Sequence, residues 1–319
     1  MAVVFAHDGG RAVPMRDADR RAPSLREGDA VGVVAPGFAV RKRAVASGIA
    51  VLRRMGYRPI EGPHLHDRHG YFAGRDEDRA ADLEAMLRDP AVRGIWFARG
   101  GFGTARILDR IPWADVANER KVLVGYSDLT ALFAAAARTR WTCLHGPVVS
   151  ELGDPSRFDA ASLRALLAGG SVEMRVGARA VLRSGRAEGP LAGGNLTVLA
   201  HLLGTPWFPD LSGRILFLED IGESVYRVDR MLTQLRAAGV LARVSGVLLG
   251  SLGGAPSGRR FPPDRPLRDA IGETFLALGV PVVSGIVAGH RARSRTLPLG
   301  GRVRIDTRAG RVAFRVPSP

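Results

Sequence analysis

The stretch Lys121-Val-Leu-Val-Gly-Tyr-Ser-Asp-Leu-Thr130 carries the pattern from which the fold can be read. Its apolar, mostly β-branched run 122–124 predicts a buried strand, and Gly125 ends that run. Ser127 and Asp128 follow, and the alanine-rich run 131–137 then predicts a helix. Strand, sharp turn, serine and helix are the parts of a nucleophile elbow, in which the hydroxyl stands at the end of a sheet above a helix N-terminus.

The same residues allow a second interpretation of this turn. Ser127 or Asp128 would also serve as the N-cap of the helix, because their side chains accept hydrogen bonds from its first amides. Leu129 stands where the G-x-S-x-G pattern has its second glycine. The stretch alone therefore leaves both a nucleophile and a helix cap open.

Composition sets the class of protein. The chain has 319 residues, of which 46% are hydrophobic, so we expect a globular protein of two domains. The net charge is +15, but the arginines are scattered over both halves without an aromatic-interleaved basic stripe, so no nucleic-acid partner is expected. Cys143 is the only cysteine, which excludes a disulfide and a cysteine-rich metal site.

The chain contains no membrane or export signal that we can recognise. No run of about 18 apolar residues occurs, and the N-terminal stretch lacks the apolar segment of a signal peptide. We therefore expect a soluble, cytoplasmic protein.

Repeated strand–helix units predict an α/β fold with a parallel sheet. The first unit is a strand at 30–35, stopped by Pro36 and Gly37, and a helix at 44–55. Its turn has one glycine and a proline where a dinucleotide fingerprint has three glycines, so no nucleotide cofactor is expected. Three loops, 99–104, 125–128 and 144–147, should converge at the C-terminal edge of this sheet.

The glycine-rich loop Arg99-Gly-Gly-Phe-Gly-Thr104 lies between a predicted strand at 94–98 and a predicted helix from Ala105. Its backbone amides are able to approach a ligand closely, although a plain tight turn has the same composition. Both interpretations stay open.

A histidine-rich loop was considered as a metal site. His64, His66 and His69 follow a spacing that is not a standard zinc pattern, so a solvated loop is the preferred interpretation and no metal is expected.

We predict the following domain organisation. Residues 1–28 form a poorly ordered lead-in, and 29–165 form an N-terminal α/β domain that carries the nucleophile. Residues 166–185 form a linker, and 186–319 form a C-terminal β-rich domain. Within the latter, 250–266 is predicted to be a mobile loop, and two β runs at 303–306 and 312–316 close the chain.

A serine at neutral pH needs a base, and the base needs a carboxylate that orients it. His145 and His290 both follow predicted strands, whereas His201 lies inside a predicted helix and is interpreted as a packing residue. Glu219 ends the apolar run 215–218, where a carboxylate is costly to bury without a partner. These residues give a Ser…Glu…His order.

Ten motifs, in order over about residues 29–307, make the chain similar to the LD-carboxypeptidase family of serine peptidases. They are Val34-Ala-Pro36, Ala98-Arg-Gly-Gly-Phe-Gly103, Gly125-Tyr-Ser-Asp-Leu-Thr130, His145-Gly-Pro147, Gly193-Gly-Asn-Leu196, Gly204-Thr-Pro206, Leu216-Phe-Leu-Glu-Asp-Ile-Gly-Glu223, Tyr226-Arg-Val-Asp-Arg-Met-Leu232, Gly289-His290 and Leu297-Pro-Leu-Gly300.

The resemblance implies a triad of Ser127, Glu219 and His290. It implies an N-terminal parallel-sheet domain with flanking helices, a C-terminal β-rich α/β domain, and a site between them. It also implies cleavage, without metal or cofactor, of the amide between an L-centre and a terminal D-amino acid of murein tetrapeptides in cell-wall recycling. Family members are commonly dimers.

Two other functions are to be compared with murein cleavage, antibiotic inactivation and the sensing of cell-wall fragments. Some relatives inactivate peptide–nucleotide antibiotics, and the motifs do not separate this immunity function from murein cleavage. A non-catalytic sensor of cell-wall fragments would not need all three triad residues, and all three are present.

In the expected mechanism, His290 takes the proton of Ser127 while Glu219 holds the imidazole in the required tautomer. The backbone N–H groups of Asp128 and Gly101 are the candidate donors to the oxyanion. Arg99 and Arg230 are candidates for binding substrate carboxylates, and an ordinary structural salt bridge is the alternative for each.

Overall fold

The computed structural model describes residues 24–139, 141–253 and 265–316. The strands, in chain order, are β1 (Ala30–Val34), β2 (Arg58–Glu61), β3 (Val92–Phe97), β4 (Val122–Gly125), β5 (Thr142–His145), β6 (Ser171–Arg175), β7 (Val181–Arg183), β8 (Arg186–Asn195), β9 (Ile215–Glu219), β10 (Gly246–Leu249), β11 (Val282–Val283), β12 (Leu297–Leu299), β13 (Arg302–Asp306) and β14 (Arg311–Arg315). The helices are α1 (Lys42–Arg54), α2 (Asp76–Arg88), α3 (Trp113–Val116), α4 (Thr130–Ala135), α5 (Ala160–Leu167), α6 (Leu196–Leu202), α7 (Val225–Ala237) and α8 (Leu267–Phe275).

The first sheet has six strands in the order β12-β5-β4-β3-β1-β2. Its strands β1 to β5 are parallel, and β12 is antiparallel to β5 at one edge. β1, β4 and β5 are buried throughout, as expected of parallel strands that helices cover on both faces. Helix α1 buries Val45, Ile49 and Leu52. The predicted parallel sheet is confirmed.

The second sheet has eight strands in the order β6-β14-β13-β8-β9-β10-β11-β7. Strands β8 to β11 are parallel, and the remaining neighbours pair antiparallel. This confirms the predicted α/β fold class, with a β-rich C-terminal part. The segment 166–185, predicted to be a linker, carries β6 and β7, and the division into domains stays a prediction.

Several predicted boundaries differ from the observed ones. The strand predicted ahead of His290 ends at Val283, and the chain turns at Gly285, whose φ is +72°. The helix predicted from Ala105 is a 3-10 helix, Thr104–Arg110. Of the predicted lead-in, residues 1–23 lie outside the described residues, whereas Leu25 is buried and donates its N–H to the carbonyl of Leu167. Most of the predicted mobile loop, 254–264, also lies outside the described residues.

The two sheets meet beside the predicted nucleophile. Thr130, at the start of α4, accepts a hydrogen bond on its Oγ1 from the N–H of Asn195 at the end of β8, at 3.0 Å. A Cβ on Gly194 would lie 2.6 Å from the same Oγ1, so only glycine permits this approach. The turn after β4 is thereby fixed against the second sheet.

Among the described residues, no helix is both long and apolar enough to cross a bilayer.

Candidate active site

Ser127 stands on a strained turn directly after β4. Its φ is +67°, in the left-handed region that L-residues rarely occupy. The short 3-10 helix Ser127–Leu129 begins here and continues into α4. The N-cap residues of these two helices are Tyr126 and Leu129, so neither Ser127 nor Asp128 acts as a helix cap. Strand, strained serine and helix form the predicted elbow geometry.

Glu219, at the end of β9 in the second sheet, contacts the partly buried His290, which lies in the loop after β11. Glu219 ends β9 with a fully buried side chain, and its Oε2 lies 2.8 Å from Nδ1 of His290. The same Oε2 accepts the backbone N–H of His290 at 3.1 Å. A Cβ on Gly289 would lie 2.2 Å from this oxygen, so glycine is required for the approach. Because a carboxylate only accepts, the imidazole carries its proton on Nδ1 and leaves Nε2 as an acceptor.

Further polar groups hold Glu219 from its other side. Asn195 Nδ2 lies 3.4 Å from Glu219 Oε1 and donates to Asp220 Oδ1 at 3.0 Å. Asp220 Oδ2 in turn accepts the N–H and the hydroxyl of Thr197, at 2.8 and 2.7 Å. Sequence reasoning missed this network, although Asn195, Glu219 and Asp220 lie in two of the quoted motifs, Gly193-Gly-Asn-Leu196 and Leu216-Phe-Leu-Glu-Asp-Ile-Gly-Glu223.

The Glu219–His290 contact sets the protonation of both groups. Burial raises the pKa of Glu219, but the hydrogen bond and charge of His290 outweigh it, and the pKa is lowered overall. Burial lowers the pKa of His290, and the hydrogen bond and charge of Glu219 raise it above its ordinary value. The pair therefore favours the imidazolium that a general base must form during proton transfer.

His145, the rival base, has different surroundings. It is buried at the end of β5, and neither ring nitrogen has a hydrogen-bond partner among the described residues. The rings of Tyr126 and Phe217 face it edge-on, with centroids at 5.7 and 5.3 Å. Burial lowers the pKa of His145 to about 4, so the ring is neutral near pH 7.

Sequence reasoning also assigned no role to Tyr126. Its ring centroid lies 4.8 Å from that of His290, and its hydroxyl donates to Glu151 at 2.7 Å. Arg157 donates to the same carboxylate oxygen at 2.8 Å. Glu151, the acidic residue nearest to His145 along the chain, is thus bound by Tyr126 and Arg157. The position of Tyr126 between Gly125 and Ser127 was the available signal.

The candidate oxyanion donors lie on turns that border Ser127. In the glycine-rich loop, a Cβ on Gly100 would lie 3.0 Å from Ser127 Cβ and 3.3 Å from its Oγ. Gly101, whose N–H is one candidate, follows with φ of +110°. The N–H of Asp128, the other candidate, belongs to the first turn of the helix that Ser127 begins, where amides have no partner within the helix.

The predicted substrate-binding arginines are both exposed. Arg99 donates to the carbonyl of Ala39 at 3.0 Å, and its guanidinium lies 5.5 Å from the ring centre of Phe38. Arg230 lies 5.9 Å from the ring centre of Tyr226. Within the described ranges neither arginine forms an ion pair with a carboxylate, so the structure gives no support to the salt-bridge alternative there.

The three histidines of the loop after β2 have separate partners. His64 Nδ1 lies 2.8 Å from Asp67 Oδ2, and with Asp78 these residues offer three possible ligand atoms within 4.8 Å of one another. The ring atom Nε2 of His66 lies instead 3.3 Å from Glu61. The backbone N–H of His69 donates to the backbone carbonyl of Phe72. The histidines therefore do not form one ligand set.

Comparisons with known proteins identify the family of the chain. Residues 31–146 match the LD-carboxypeptidase N-terminal domain, and residues 188–305 match the LD-carboxypeptidase C-terminal domain. A murein tetrapeptide carboxypeptidase of Pseudomonas aeruginosa is 32% identical over 282 residues, which cover 85% of this chain and 91% of the relative.

Solved structures share the whole fold. The crystal structure of a muramoyltetrapeptide carboxypeptidase from Oxalobacter formigenes has a TM-score of 0.81 and 32% identity, covering 91% of this chain and 99% of that one. The microcin C7 self-immunity protein MccF of Escherichia coli is 26% identical over 323 residues, covering 89% of this chain and 92% of its own. Its complex with aspartyl sulfamoyl adenosine has a TM-score of 0.80 at 23% identity, covering 92% and 98%, and shows a common fold alone. With both family domains matched in order, this chain belongs to the LD-carboxypeptidase family and is a serine-type carboxypeptidase.

Proposed function

We propose that this enzyme removes the terminal D-amino acid from the L-centre of murein tetrapeptides, with Ser127 as nucleophile, His290 as base and Glu219 as the residue that orients the base. The observation that carries the proposal is the contact of 2.8 Å between the buried Glu219 Oε2 and His290 Nδ1, which leaves Nε2 available for a serine proton. The relatives named for murein or muramoyl tetrapeptides, each 32% identical, support the choice of substrate.

Acylation follows from these roles. His290 Nε2 accepts the proton of Ser127 Oγ while this oxygen attacks the carbonyl carbon of the L-centre. The resulting oxyanion accepts hydrogen bonds from the N–H groups of Asp128 and Gly101, and one such donor typically lowers the barrier by about 3–4 kcal/mol. When the intermediate collapses, the C–N bond breaks and His290 gives its proton to the nitrogen of the leaving D-alanine.

Deacylation repeats the sequence with water. His290 removes a proton from a water molecule, whose oxygen attacks the ester carbonyl on Ser127. Collapse returns the proton to Ser127 Oγ and releases the tripeptide with a free carboxylate. Arg99 and Arg230 are exposed cations that would pair with the carboxylates of such a substrate.

The proposal extends to the setting of the enzyme. The family resemblance favours a homodimer that acts in the cytoplasm on free muropeptides, without a nucleic-acid partner. Light scattering of the purified protein tests the dimer, and cell fractionation tests the compartment. Retention on heparin near physiological ionic strength would contradict the exclusion of nucleic acid.

The substrate is tested by incubating the enzyme with L-Ala-γ-D-Glu-meso-diaminopimelate-D-Ala and following mass. We expect the loss of one alanine, with D-alanine in solution. A matched peptide that ends in L-alanine controls for stereochemistry and should be cleaved far more slowly. If the tetrapeptide stayed intact at high enzyme concentration, the substrate assignment would be wrong. Cleavage of aspartyl sulfamoyl adenosine in the same assay would favour the immunity function.

A further inference from the structure

The carboxylate of Asp128 is buried beside the nucleophile and is not used in the chemistry above. The side chain is only 2% exposed, and burial raises the pKa of its carboxyl. Its Oδ2 accepts the N–H of Thr104 at 2.9 Å and the hydroxyl of Thr104 at 2.7 Å. A buried carboxylate with these partners joins the elbow to the end of the glycine-rich loop.

Arg79 holds the same loop from the opposite side. This side chain of α2 is 2% exposed, and its Nη1 donates to the carbonyl of Gly103 at 3.1 Å and also to the carbonyl of Pro36. The peptide unit between Gly103 and Thr104 is therefore bound at both ends, its C=O by Arg79 and its N–H by Asp128. A peptide plane held at both ends has little freedom to rotate.

Glycines bring three turns into contact around this carboxylate. A Cβ on Gly37 would lie 2.8 Å from Asp128 Oδ2 and 3.1 Å from the carbonyl oxygen of Gly100. That carbonyl accepts the N–H of Phe38 at 3.3 Å. The loop is thus anchored at Gly100 and again at Gly103–Thr104. The N–H of Gly101, a candidate oxyanion donor, lies between the two anchors.

We infer that the Asp128 carboxylate is a positioning residue, which sets the glycine-rich loop against Ser127 so that the oxyanion hole is in place before substrate arrives. Oxyanion donors must lie within about 0.5 Å of their productive place, because their contribution depends on preorganisation. The inference rests on the proposed serine mechanism. It adds a role for the Asp128 side chain, beside that of its backbone N–H.

The test compares Asp128→Ala with Asp128→Asn, which keeps one acceptor oxygen for Thr104. Two rates are measured, kcat on the tetrapeptide and the rate constant for phosphonylation of Ser127 by a serine-directed organophosphonate, whose transition state also places charge on an oxygen. We expect Asp128→Ala to lower both by about 10²-fold per titrated active site, with KM nearly unchanged. Asp128→Asn should recover at least about tenfold of this loss.

A second pair of variants guards against misfolding of Asp128→Ala. Thr104→Val removes the hydroxyl donor at almost constant volume, and Thr104→Ser keeps it. We expect Thr104→Ser to react at least about fivefold faster than Thr104→Val in both assays, since it keeps a hydrogen bond to a charged group, which is stronger than one between neutral groups.

The outcomes separate the inference from the proposed function. If wild type is phosphonylated on Ser127 and the folded variants react at its rate per site, the positioning role is wrong and the triad stands. If the variants lose titratable sites but keep the rate per site, Asp128 is merely structural and the inference is again wrong. A wild type that is never phosphonylated on Ser127 would overturn the serine mechanism and the inference together.

Discussion

His145 and His290 both pack against the ring of Tyr126, yet their surroundings give them opposite pKa shifts. His145 is the last residue of β5 in the first sheet. Its ring is buried among aromatic rings, and its pKa is lowered to about 4. His290 lies in the loop after β11, the last parallel strand of the second sheet. Its ring contacts the buried carboxylate of Glu219. Burial acts on both histidines, but only His290 has a bound carboxylate that reverses its effect on the pKa.

The comparison teaches that nearness to the nucleophile does not identify the base. His145 pairs with Gly125 across β4 and β5, close to Ser127 in the first sheet. It has no carboxylate partner among the described residues, so its protonation during catalysis would be opposed by burial. A base must be able to carry a proton for part of the cycle, and Glu219 gives His290 that ability.

The largest effect should separate the two histidines directly. We expect His290→Ala to lower kcat by about 10⁴-fold, whereas His145→Ala lowers it by less than about tenfold, because only His290 transfers protons. Adding Ser127→Ala to His290→Ala should cost little more, since residues that act as a unit are not additive. Steady-state kinetics on folded protein decide this, and the reverse order for the histidines would refute the assignment.

The next effect concerns the carboxylate. Glu219→Gln removes the charge that raises the pKa of His290, and we expect kcat to fall by about 10²- to 10⁴-fold. In wild type, kcat/KM should rise with pH as His290 loses its proton, at a pKa above the ordinary 6.5. In Glu219→Gln this acid limb should move to lower pH. A limb that stays in place would show that Glu219 does not control His290.

Replacing His145 should change the stability of the folded protein and leave the reaction rate almost unchanged. Its pKa is about 4 in the folded protein and 6.5 when exposed, so the unfolded chain binds more protons between these values and stability falls as pH decreases through this window. The full effect is about 3 kcal/mol. We expect His145→Leu to flatten the dependence of the unfolding free energy on pH between 7 and about 4.5, as read from denaturant titrations. An unchanged pH dependence would contradict the neutral, buried state of His145.

The smallest effect is expected for Tyr126, whose ring packs against both histidines. Tyr126→Phe keeps the ring and removes the hydroxyl that donates to Glu151, which retains Arg157 as a partner. We expect a loss of about 1 kcal/mol in stability and less than about a tenfold change in kcat. Thermal unfolding and kinetics measure both. A loss of rate comparable to that of His290→Ala would mean that the hydroxyl takes part in the reaction.

Features that arise within one strand and its following turn could be predicted from the sequence. Ser127 follows an apolar run and Glu219 ends one, and that pattern was enough to place them at sheet edges. Apart from the Glu219–His290 pair, which the family resemblance implied, side-chain contacts between distant segments could not be predicted, since sequence spacing carries no record of them. The bonds from Asp128 to Thr104 and from Asn195 to Asp220 are of this kind. Strand β12 was not predicted, because its central residue is Pro298 and proline disfavours strands. An edge strand such as β12 tolerates a proline.

The central claim is that Ser127 performs the attack, and the release of D-alanine by Ser127→Ala tests it most directly. Wild type and variant are purified alike, shown to have the same circular dichroism and melting behaviour, and assayed on the same tetrapeptide. The account predicts that the folded variant loses turnover by about 10⁴-fold or more. Release of D-alanine by folded Ser127→Ala at close to the wild-type rate would contradict it.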